Sequence, residues 1–295
     1  VAAGQVVAVA LPGTMVFHGN DQYEIRKSKI RGQLSEGMIC AEDELGLGAD
    51  HEGIMVLDSS ARIGMPAAEY FGVTTDTVFE IGLTPNRIDC SSHFGVARDL
   101  AAFYNLQRPV RAKLPEIYGF RKERDRGVIK VTVEAPDACI RYSGLTVRGI
   151  RVGPSPAWLQ TRLRAIGLNP INNVVDITNF VLHETGQPLH AFDAAAVTGD
   201  TVRVRHLPDK TKFVTLDGVE RTLAPSDLMI CNRDEGMCIA GVFGGLRSGV
   251  TEATTDLFLE SATFSSVSVR RTSRRHDLHT DASYRFERGT DPEMT

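Results

Sequence analysis

Short apolar runs separated by glycine are the feature of this sequence that most constrains its fold. Within the first 74 residues, such runs occupy residues 6–11 and 54–57, with several glycines between them. Short strands joined by turn-forming residues are typical of small, closed β-structures. The pattern therefore predicts a small β-barrel over residues 1–74.

The later residues mix helical and strand-like patterns. Residues 75–118 combine a predicted strand at 77–81 with an amphipathic helix at 93–105, whose apolar residues recur at helical spacing. Further helices are predicted to begin at 155–156 and to span 176–184. Strands are predicted at residues 128–133, 142–147, 201–205, 212–216, 228–231, 237–242 and 257–260. The first two of these are expected to pair, and the mixture predicts a multidomain α+β protein.

Charge and composition narrow the classes of function. The net charge of -4 argues against indiscriminate binding to nucleic acid, because such binding depends on Lys and Arg neutralising phosphates. Residues 1–74 hold 5 Lys and Arg against 10 Asp and Glu, whereas the rest of the chain holds 28 against 27. We therefore expect any RNA-binding surface to lie in the later part.

Location is predicted from the apolar runs and the cysteines. No stretch approaches the roughly 18 apolar residues of a membrane helix, so no membrane partner is expected. Five scattered cysteines without a C-x-x-C pair are expected to be buried free thiols. These features predict a cytoplasmic protein. Because the chain starts in a predicted strand and ends without a helix stop, we expect it to be part of a longer one.

Several enzyme signatures are absent from the sequence, namely the Walker loop, G-x-G-x-x-G, G-x-S-x-G and H-E-x-x-H. His276 and His279 lie three residues apart, but no third ligand is nearby. A solvated or RNA-facing loop is therefore favoured over a metal site. No metal ligand is predicted.

Three segments hold residues that suit a binding site. Residues 240–245 (AGVFGG) are rich in glycine, which either lets a ligand approach the backbone or simply forms a tight turn. His190 lies in a predicted loop after Gly186 and Pro188, where it either bonds to the backbone or contacts a ligand. Glu260 ends an apolar run, and a buried carboxylate there implies an ion pair or a ligand. Alternation alone does not decide which face Glu260 takes.

Arginines are concentrated near the end of the chain. They are Arg270, Arg271, Arg274, Arg275, Arg285 and Arg288. Three acidic neighbours, Asp277, Asp281 and Glu287, partly cancel their charge. A salt-bridged surface and a phosphate-binding surface both remain open readings of this segment.

Together these segments resemble the β subunits of bacterial phenylalanyl-tRNA synthetases. The matching motifs follow the order of the family: residues 30–32 (IRG), 35–38 (SEGM), 83–87 (LTPNR), 95–99 (GVARD), 175–179 (VDITN), 186–193 (GQPLHAFD), 216–218 (LDG), 240–245 (AGVFGG) and 274–289. The resemblance covers nearly the whole chain. On these motifs, the chain is identified as a member of that family.

The resemblance implies a domain map and a set of partners. Residues 1–74 would be an amino-terminally truncated OB-fold domain similar to tRNA-binding modules. Residues 75–118 would be the second half of the first domain with a linker, and residues 119–295 the paired third and fourth domains that house editing. The implied partners are tRNA(Phe) and an α subunit, in a heterotetramer of two α and two β subunits. ATP and Mg²⁺ would serve the α subunit, and no cofactor is expected on this fragment.

The implied activity is hydrolysis of tyrosine mischarged onto tRNA(Phe). An apolar synthetic pocket rejects an added hydroxyl by only about a hundredfold, so a second, corrective site is needed. A buried carboxylate suits that site, because it bonds a phenol strongly and is left desolvated by a plain phenyl ring. The alternative is a non-catalytic portion that serves structure and tRNA docking.

The resemblance also assigns roles to single residues. Glu260 would recognise the tyrosine hydroxyl, while His190, aided by Thr178 and Asn179, would position the ester or the attacking water. Room for the aromatic ring would come from the small residues Ala240, Gly241 and Ala282, and Gly244 is also assigned to substrate binding. From the arginine-rich segment, tRNA contacts are assigned to Arg274, Arg275 and Arg285.

Overall fold

The computed structural model describes residues 2–18, 21–48, 53–73, 75–123 and 129–295. The chain divides into two compact units, Val1–Thr77 and Val78–Thr295. Helices and strands both occur, which confirms the predicted α+β class. All five cysteines are buried and free, as predicted. Among the described residues, no helix has the length and apolar character needed to cross a membrane.

The described ranges contain 18 strands, six α-helices and five short 3-10 helices. The strands are β1 Val6–Val7, β2 Val9–Ala10, β3 Met15–His18, β4 Asp21–Glu24, β5 Ser28–Ile30, β6 Gln33–Ser35, β7 Met38–Ile39, β8 Val56–Leu57, β9 Lys130–Val133, β10 Cys139–Arg148, β11 Leu189–Asp193, β12 Thr201–His206, β13 Lys212–Val214, β14 Glu220–Thr222, β15 Leu228–Cys231, β16 Gly236–Ile239, β17 Phe243–Gly244 and β18 Asp256–Phe264. The helices are α1 Ala67–Tyr70, α2 His93–Tyr104, α3 Ala157–Ala165, α4 Asn173–Thr185, α5 Ser266–His276 and α6 Asp281–Phe286.

The first unit is built from antiparallel strand pairs: β1 with β8, β2 with β7, β3 with β4, and β5 with β6. Its core is small and consists of Ala10, Val16, Ile25 and Cys40. In the described part of this unit, the pairs do not join into one sheet. The OB-like barrel therefore stays a prediction.

The second unit contains a five-stranded sheet in the order β17-β16-β15-β12-β9. Strands β9 and β12 run parallel, and the other neighbours are antiparallel. Every residue of the central strand β15 is buried, as expected for a strand covered on both faces. The main hydrophobic core lies against this sheet and joins it to a second one through Phe192, Phe258 and Phe264.

The second sheet has three strands in the order β10-β18-β11, so β18 pairs with a strand on each side. The predicted pairing of residues 128–133 with 142–147 is therefore wrong. Strand β10 pairs along its length with β18, while β9 pairs with β12. The prediction assumed that neighbours in sequence pair, but burial of the apolar strand β18 favours the long-range partner instead.

Residues 77–81 form no strand, which corrects a second prediction. The side chains of Val78, Phe79 and Ile81 are exposed in this segment. These residues pair with no strand among the described residues. Their strand-like composition is not enough, because β propensity depends on packing against neighbouring strands.

Helices α2 and α4 begin at residues whose side chains cap them. Helix α2 confirms the predicted helix at 93–105, and the Ser92 hydroxyl accepts a hydrogen bond from the Gly95 N–H at its start. Helix α4 starts earlier than predicted because Asn172 caps it, accepting from the N–H groups of Val174 and Val175. It ends at Gly186, which has a φ of 86°.

Asp176 anchors helix α4. Its side chain is fully buried. Its carboxylate accepts hydrogen bonds from the Ser155 hydroxyl at 2.5 Å and from the Ile171 N–H at 2.8 Å. Because Ser155 precedes α3, the carboxylate joins the start of α3 to α4 and fixes the orientation of the helix that carries Thr178.

Replacing Asp176 by alanine should therefore destabilise the second unit. We expect Asp176→Ala to lower the free energy of unfolding by about 1–3 kcal/mol, because the buried Ser155 hydroxyl loses its partner. Urea unfolding of the 295-residue chain measures the change. Asp209→Ala, at an exposed position, is the matched control. Equal midpoints for both variants would contradict the anchoring role.

Candidate functional site

His190 and Glu260 are direct cross-strand partners in the antiparallel pair of β11 and β18. Directly opposed residues of an antiparallel pair point to the same face of the sheet. The next pair along that face is Phe192 and Phe258, whose ring centroids lie 6.4 Å apart. The register thus shows that Glu260 lies on the same face of the sheet as His190. The aromatic pair Phe192 and Phe258 lies next to them on that face.

A cavity of about 440 Å³ is lined by His190 and Glu260. This volume lies within the usual range for pockets that hold small molecules. Helix α4, the hairpin between β16 and β17, and the start of α6 supply the walls. The other lining residues include Thr178, Asn179, Leu182, Leu216, Cys238, Gly241, Gly244, His279, Asp281 and Ala282.

The glycine-rich hairpin is both a tight turn and a cavity wall. Gly241 has a φ of 68°, and a Cβ atom there would lie 2.9 Å from ring atoms of Phe264 and Phe286. A Cβ atom on Gly244 would lie 3.1 Å from Cε1 of His190. Glycine is required at the first position by conformation and packing, and at the second it keeps the wall close to the imidazole.

The carboxyl group of Glu260 is buried and has a phenol as its neighbour. Glu260 is 5% exposed, and the Tyr142 hydroxyl donates a hydrogen bond to its Oε2 atom over 2.5 Å. The other oxygen, Oε1, has no hydrogen-bond partner among the described residues. Burial raises the pKa of Glu260 to about 8, so the group is largely a neutral carboxylic acid at pH 7.

The imidazole of His190 is also neutral. Burial lowers its pKa to about 4, and the ring packs edge-on against Phe192 with centroids 4.5 Å apart. No described residue makes a hydrogen bond with its ring nitrogens. A neutral imidazole has one donor and one acceptor nitrogen, and neither has a hydrogen-bond partner among the described residues.

The remaining predicted pocket residues fall into two groups. Thr178 and Asn179 line the cavity from α4, and the Thr178 hydroxyl donates to the carbonyl of Val175 at 2.8 Å. Ala282 lines it from the start of α6. Ala240 differs, because its side chain is buried in the core beneath the hairpin rather than on the cavity wall.

Tyr142 is the residue at this site that the sequence did not single out. It lies in β10, which pairs with the flank of β18 opposite to β11. The residue pattern predicted a strand there. The neighbouring strand could not be read from the sequence, so the contact between Tyr142 and Glu260 remained hidden.

The arginine-rich segment divides between surface and interior. Arg270, Arg271 and Arg274 are exposed on α5. Arg275 is also exposed and forms an ion pair with the buried carboxylate of Asp227. These arginines lie on the surface of the second unit.

Arg285 lies in the interior, which counts against its predicted tRNA contact. The residue is 5% exposed, and its guanidinium donates to the backbone and side chain of Asp281 and to the carbonyl of Ser91. A guanidinium buried in these contacts is not available to a phosphate. We therefore leave Arg285 out of the proposed tRNA surface.

The two histidines of the 276–279 segment have different surroundings. His276 is buried, and its Nε2 lies 2.8 Å from Oδ2 of Asp227, so the prediction of a solvated loop is wrong for this residue. His279 is exposed. The burial follows from the amphipathic pattern of α5, which turns His276 toward the sheet.

One group of potential metal ligands occurs in the described ranges, formed by Asp89, Cys90 and Asp99. The guanidinium of Arg87 hydrogen bonds to all three side chains at 2.7–3.0 Å. The positive charge of Arg87 therefore already lies against both carboxylates and offsets part of their negative charge.

Comparison with known proteins identifies related chains. Residues 138–295 match the family model described as the B3/4 domain. The whole chain is 58% identical to the phenylalanine–tRNA ligase beta subunit of Porphyromonas gingivalis. Over 99% of its length it is 48% identical to that of Salinibacter ruber and 46% identical to that of Chlorobaculum tepidum. The chain spans only 35–36% of the length of these curated relatives.

A solved N-terminal fragment of the phenylalanyl-tRNA synthetase beta subunit from Pyrococcus horikoshii was also matched. It is 14% identical, with 65% of this chain and 59% of that chain covered and a TM-score of 0.37. This likeness is too low to indicate a shared fold.

The raised pKa of Glu260 predicts a pH-dependent stability. Its pKa rises from 4.5 to about 8 on folding, so the native chain holds this proton more tightly and the resulting stability is lost as the pH rises from about 4.5 through 8. We expect Glu260→Gln to remove this loss. The variant should therefore gain stability relative to the unmodified chain between pH 5 and pH 8.

Urea unfolding at both pH values measures this difference. Glu252→Gln, at an exposed position, serves as the control and should follow the unmodified chain. A constant stability difference between Glu260→Gln and the unmodified chain would contradict a buried neutral carboxyl.

Proposed function

The chain belongs to the B3/4 domain family and to the β subunits of phenylalanine–tRNA ligase, and from this we propose that its cavity hydrolyses tyrosine mischarged onto tRNA(Phe). The observation that carries the proposal is the cross-strand pair of His190 and Glu260 in one cavity. A carboxyl group suits recognition of a phenol, and a neutral imidazole suits an ester or water.

Recognition of the tyrosine side chain is assigned to Oε1 of Glu260. As a neutral carboxylic acid, Glu260 can exchange a hydrogen bond with the phenol. A phenylalanyl ester offers no such partner and would cover a polar oxygen with an apolar ring. Leaving a buried polar group without a partner costs about 1–3 kcal/mol, which corresponds to roughly fivefold to 150-fold selectivity.

Reaction at the ester is assigned to His190, with Thr178 and Asn179 as neighbours on the cavity wall. A pKa of about 4 makes the imidazole a weak base at pH 7. Its acceptor nitrogen is therefore better suited to holding a water molecule or a ribose hydroxyl than to removing a proton completely. Orientation alone supplies a large acceleration for a labile ester.

Other parts of the chain and other subunits complete the proposed enzyme. Aminoacylation, with ATP and Mg²⁺, is assigned to an α subunit in a cytoplasmic heterotetramer. The first unit is assigned an OB-like, tRNA-binding role. Arg274 and Arg275 are assigned contacts with tRNA phosphates, because α5 exposes arginines at the surface. The same exposure supports the second candidate, a non-catalytic portion for tRNA docking.

Loss of either polar partner should impair editing. In the full-length β subunit assembled with its α subunit, we expect His190→Ala and Glu260→Ala each to slow deacylation of Tyr-tRNA(Phe) by at least about tenfold. Aminoacylation with phenylalanine should be unchanged. Single-turnover deacylation measures the effect, with Glu252→Ala as the exposed control. Normal clearance by both site variants would refute the editing site and leave the docking role.

The arginine surface can be tested through salt dependence. We expect Arg274→Ala to weaken binding of tRNA(Phe) and to lower the slope of log K against log[salt] by about 1, as loss of one phosphate contact does. Arg247→Ala removes another exposed arginine of the same unit and serves as the control. Filter binding of the assembled enzyme at several salt concentrations measures the slopes. An unchanged slope for Arg274→Ala would exclude a phosphate contact there.

A further inference from the structure

Tyr142 lies in β10, which pairs with the edge of β18 opposite to β11. In the register of β10 and β18, Gly144 lies directly opposite Glu260, and Tyr142 lies opposite Ala262. Tyr142 and Glu260 are therefore diagonal neighbours on one face of the sheet, within reach of an aromatic side chain.

Gly144 leaves the position opposite Glu260 without a side chain. A Cβ atom on Gly144 would lie 2.3 Å from Cζ of Phe258, so the ring of Phe258 already occupies that space. No side chain therefore reaches the carboxyl from directly across β10. The Tyr142 hydroxyl is the described hydrogen-bond donor to this group.

The Tyr142 hydroxyl is the donor in its hydrogen bond with Glu260. Burial, followed by the nearby Glu260, raises the pKa of Tyr142 well above its ordinary value. The phenol thus keeps its hydrogen at neutral pH, and its O–H group points to Oε2 of Glu260 at 2.5 Å. Oε1 remains without a partner among the described residues, on a side chain that lines the cavity.

We infer that Tyr142 is a positioning residue for amino-acid selection, holding Oε2 of Glu260 so that Oε1 is the oxygen presented to the bound aminoacyl side chain. The inference rests on the proposed editing function, because it adds a residue to the same site. The side chain that fits has a hydroxyl at the far end of an aromatic ring.

Selectivity between a phenol and a phenyl ring requires that the carboxyl of Glu260 keep a fixed orientation. The terminal torsion of a glutamate is broad, so an unrestrained carboxyl rotates readily. If it were free to rotate, Glu260 could move Oε1 away from a phenyl ring and avoid the cost of covering it. The hydrogen bond from Tyr142 opposes that rotation. A phenyl ring then meets a fixed polar oxygen, whereas a phenol meets a hydrogen-bond partner.

Tyr142→Phe tests this arrangement with little change in packing. The ring of Tyr142 packs against the main core, and the substitution removes only the hydroxyl. In the assembled full-length enzyme, kcat/KM for deacylation should be measured with Tyr-tRNA(Phe) and with Phe-tRNA(Phe). Tyr104→Phe, on α2, is the matched control, and thermal unfolding checks that each variant is folded.

We expect the ratio of kcat/KM for the two substrates to fall by about tenfold in Tyr142→Phe and to stay unchanged in Tyr104→Phe. An equal fall for both substrates would overturn the inference, because it would show a purely structural role. An unchanged ratio in Tyr142→Phe, together with a lowered ratio in Glu260→Ala, would overturn the inference and leave the proposed function intact. An unchanged ratio in both variants would refute the editing assignment of Glu260 as well.

Discussion

The pairing of β18 with a strand on each side is the constraint on which the candidate site depends. Strand β18 carries Glu260, β11 brings His190 directly opposite, and β10 brings Tyr142 to the diagonal position. Tyr142 and Glu260 are 118 positions apart in sequence, so their contact exists only through this register. A shift of one residue in either pairing would turn the partner to the other face of the sheet. The aromatic pair Phe192 and Phe258 buries the same face and thereby holds the register in place.

Burial at this face shifts the pKa values of Glu260 and His190 in opposite directions, and both shifts favour the neutral form. The pKa of Glu260 rises to about 8 and that of His190 falls to about 4, so both groups are largely uncharged between these values. The cavity therefore offers hydrogen bonds without a fixed charge on either residue. This suits the neutral phenol and the ester of the proposed substrate, because neither group would offset the cost of desolvating an ion. It also explains why the two groups sit opposite each other without forming an ion pair.

The sequence revealed local structure better than pairing. Helix α2 was predicted from its apolar spacing, because that signal lies within the helix itself. The register of β18 was not, because alternation shows which residues share a face but not which strand lies beside them. The same limit explains the incorrect pairing of residues 128–133, whereas the burial of Arg285 depends on a contact with Ser91, which is 194 positions away in sequence. The residues proposed for the cavity came from resemblance to a family, and their roles stay predictions.

Helix α5 shows how a surface role and a packing role can share one element. Its buried face packs Val269 near Gly241, where an added Cβ would come within 3.2 Å of the valine side chain. The same helix holds Asp227 through Thr272, Arg275 and His276. Its exposed face carries Arg270, Arg271 and Arg274. A phosphate bound at those arginines would thus be held by a helix whose other face supports the cavity hairpin. The proposed tRNA contact and the proposed editing cavity would then be linked because the same helix, α5, contributes to both.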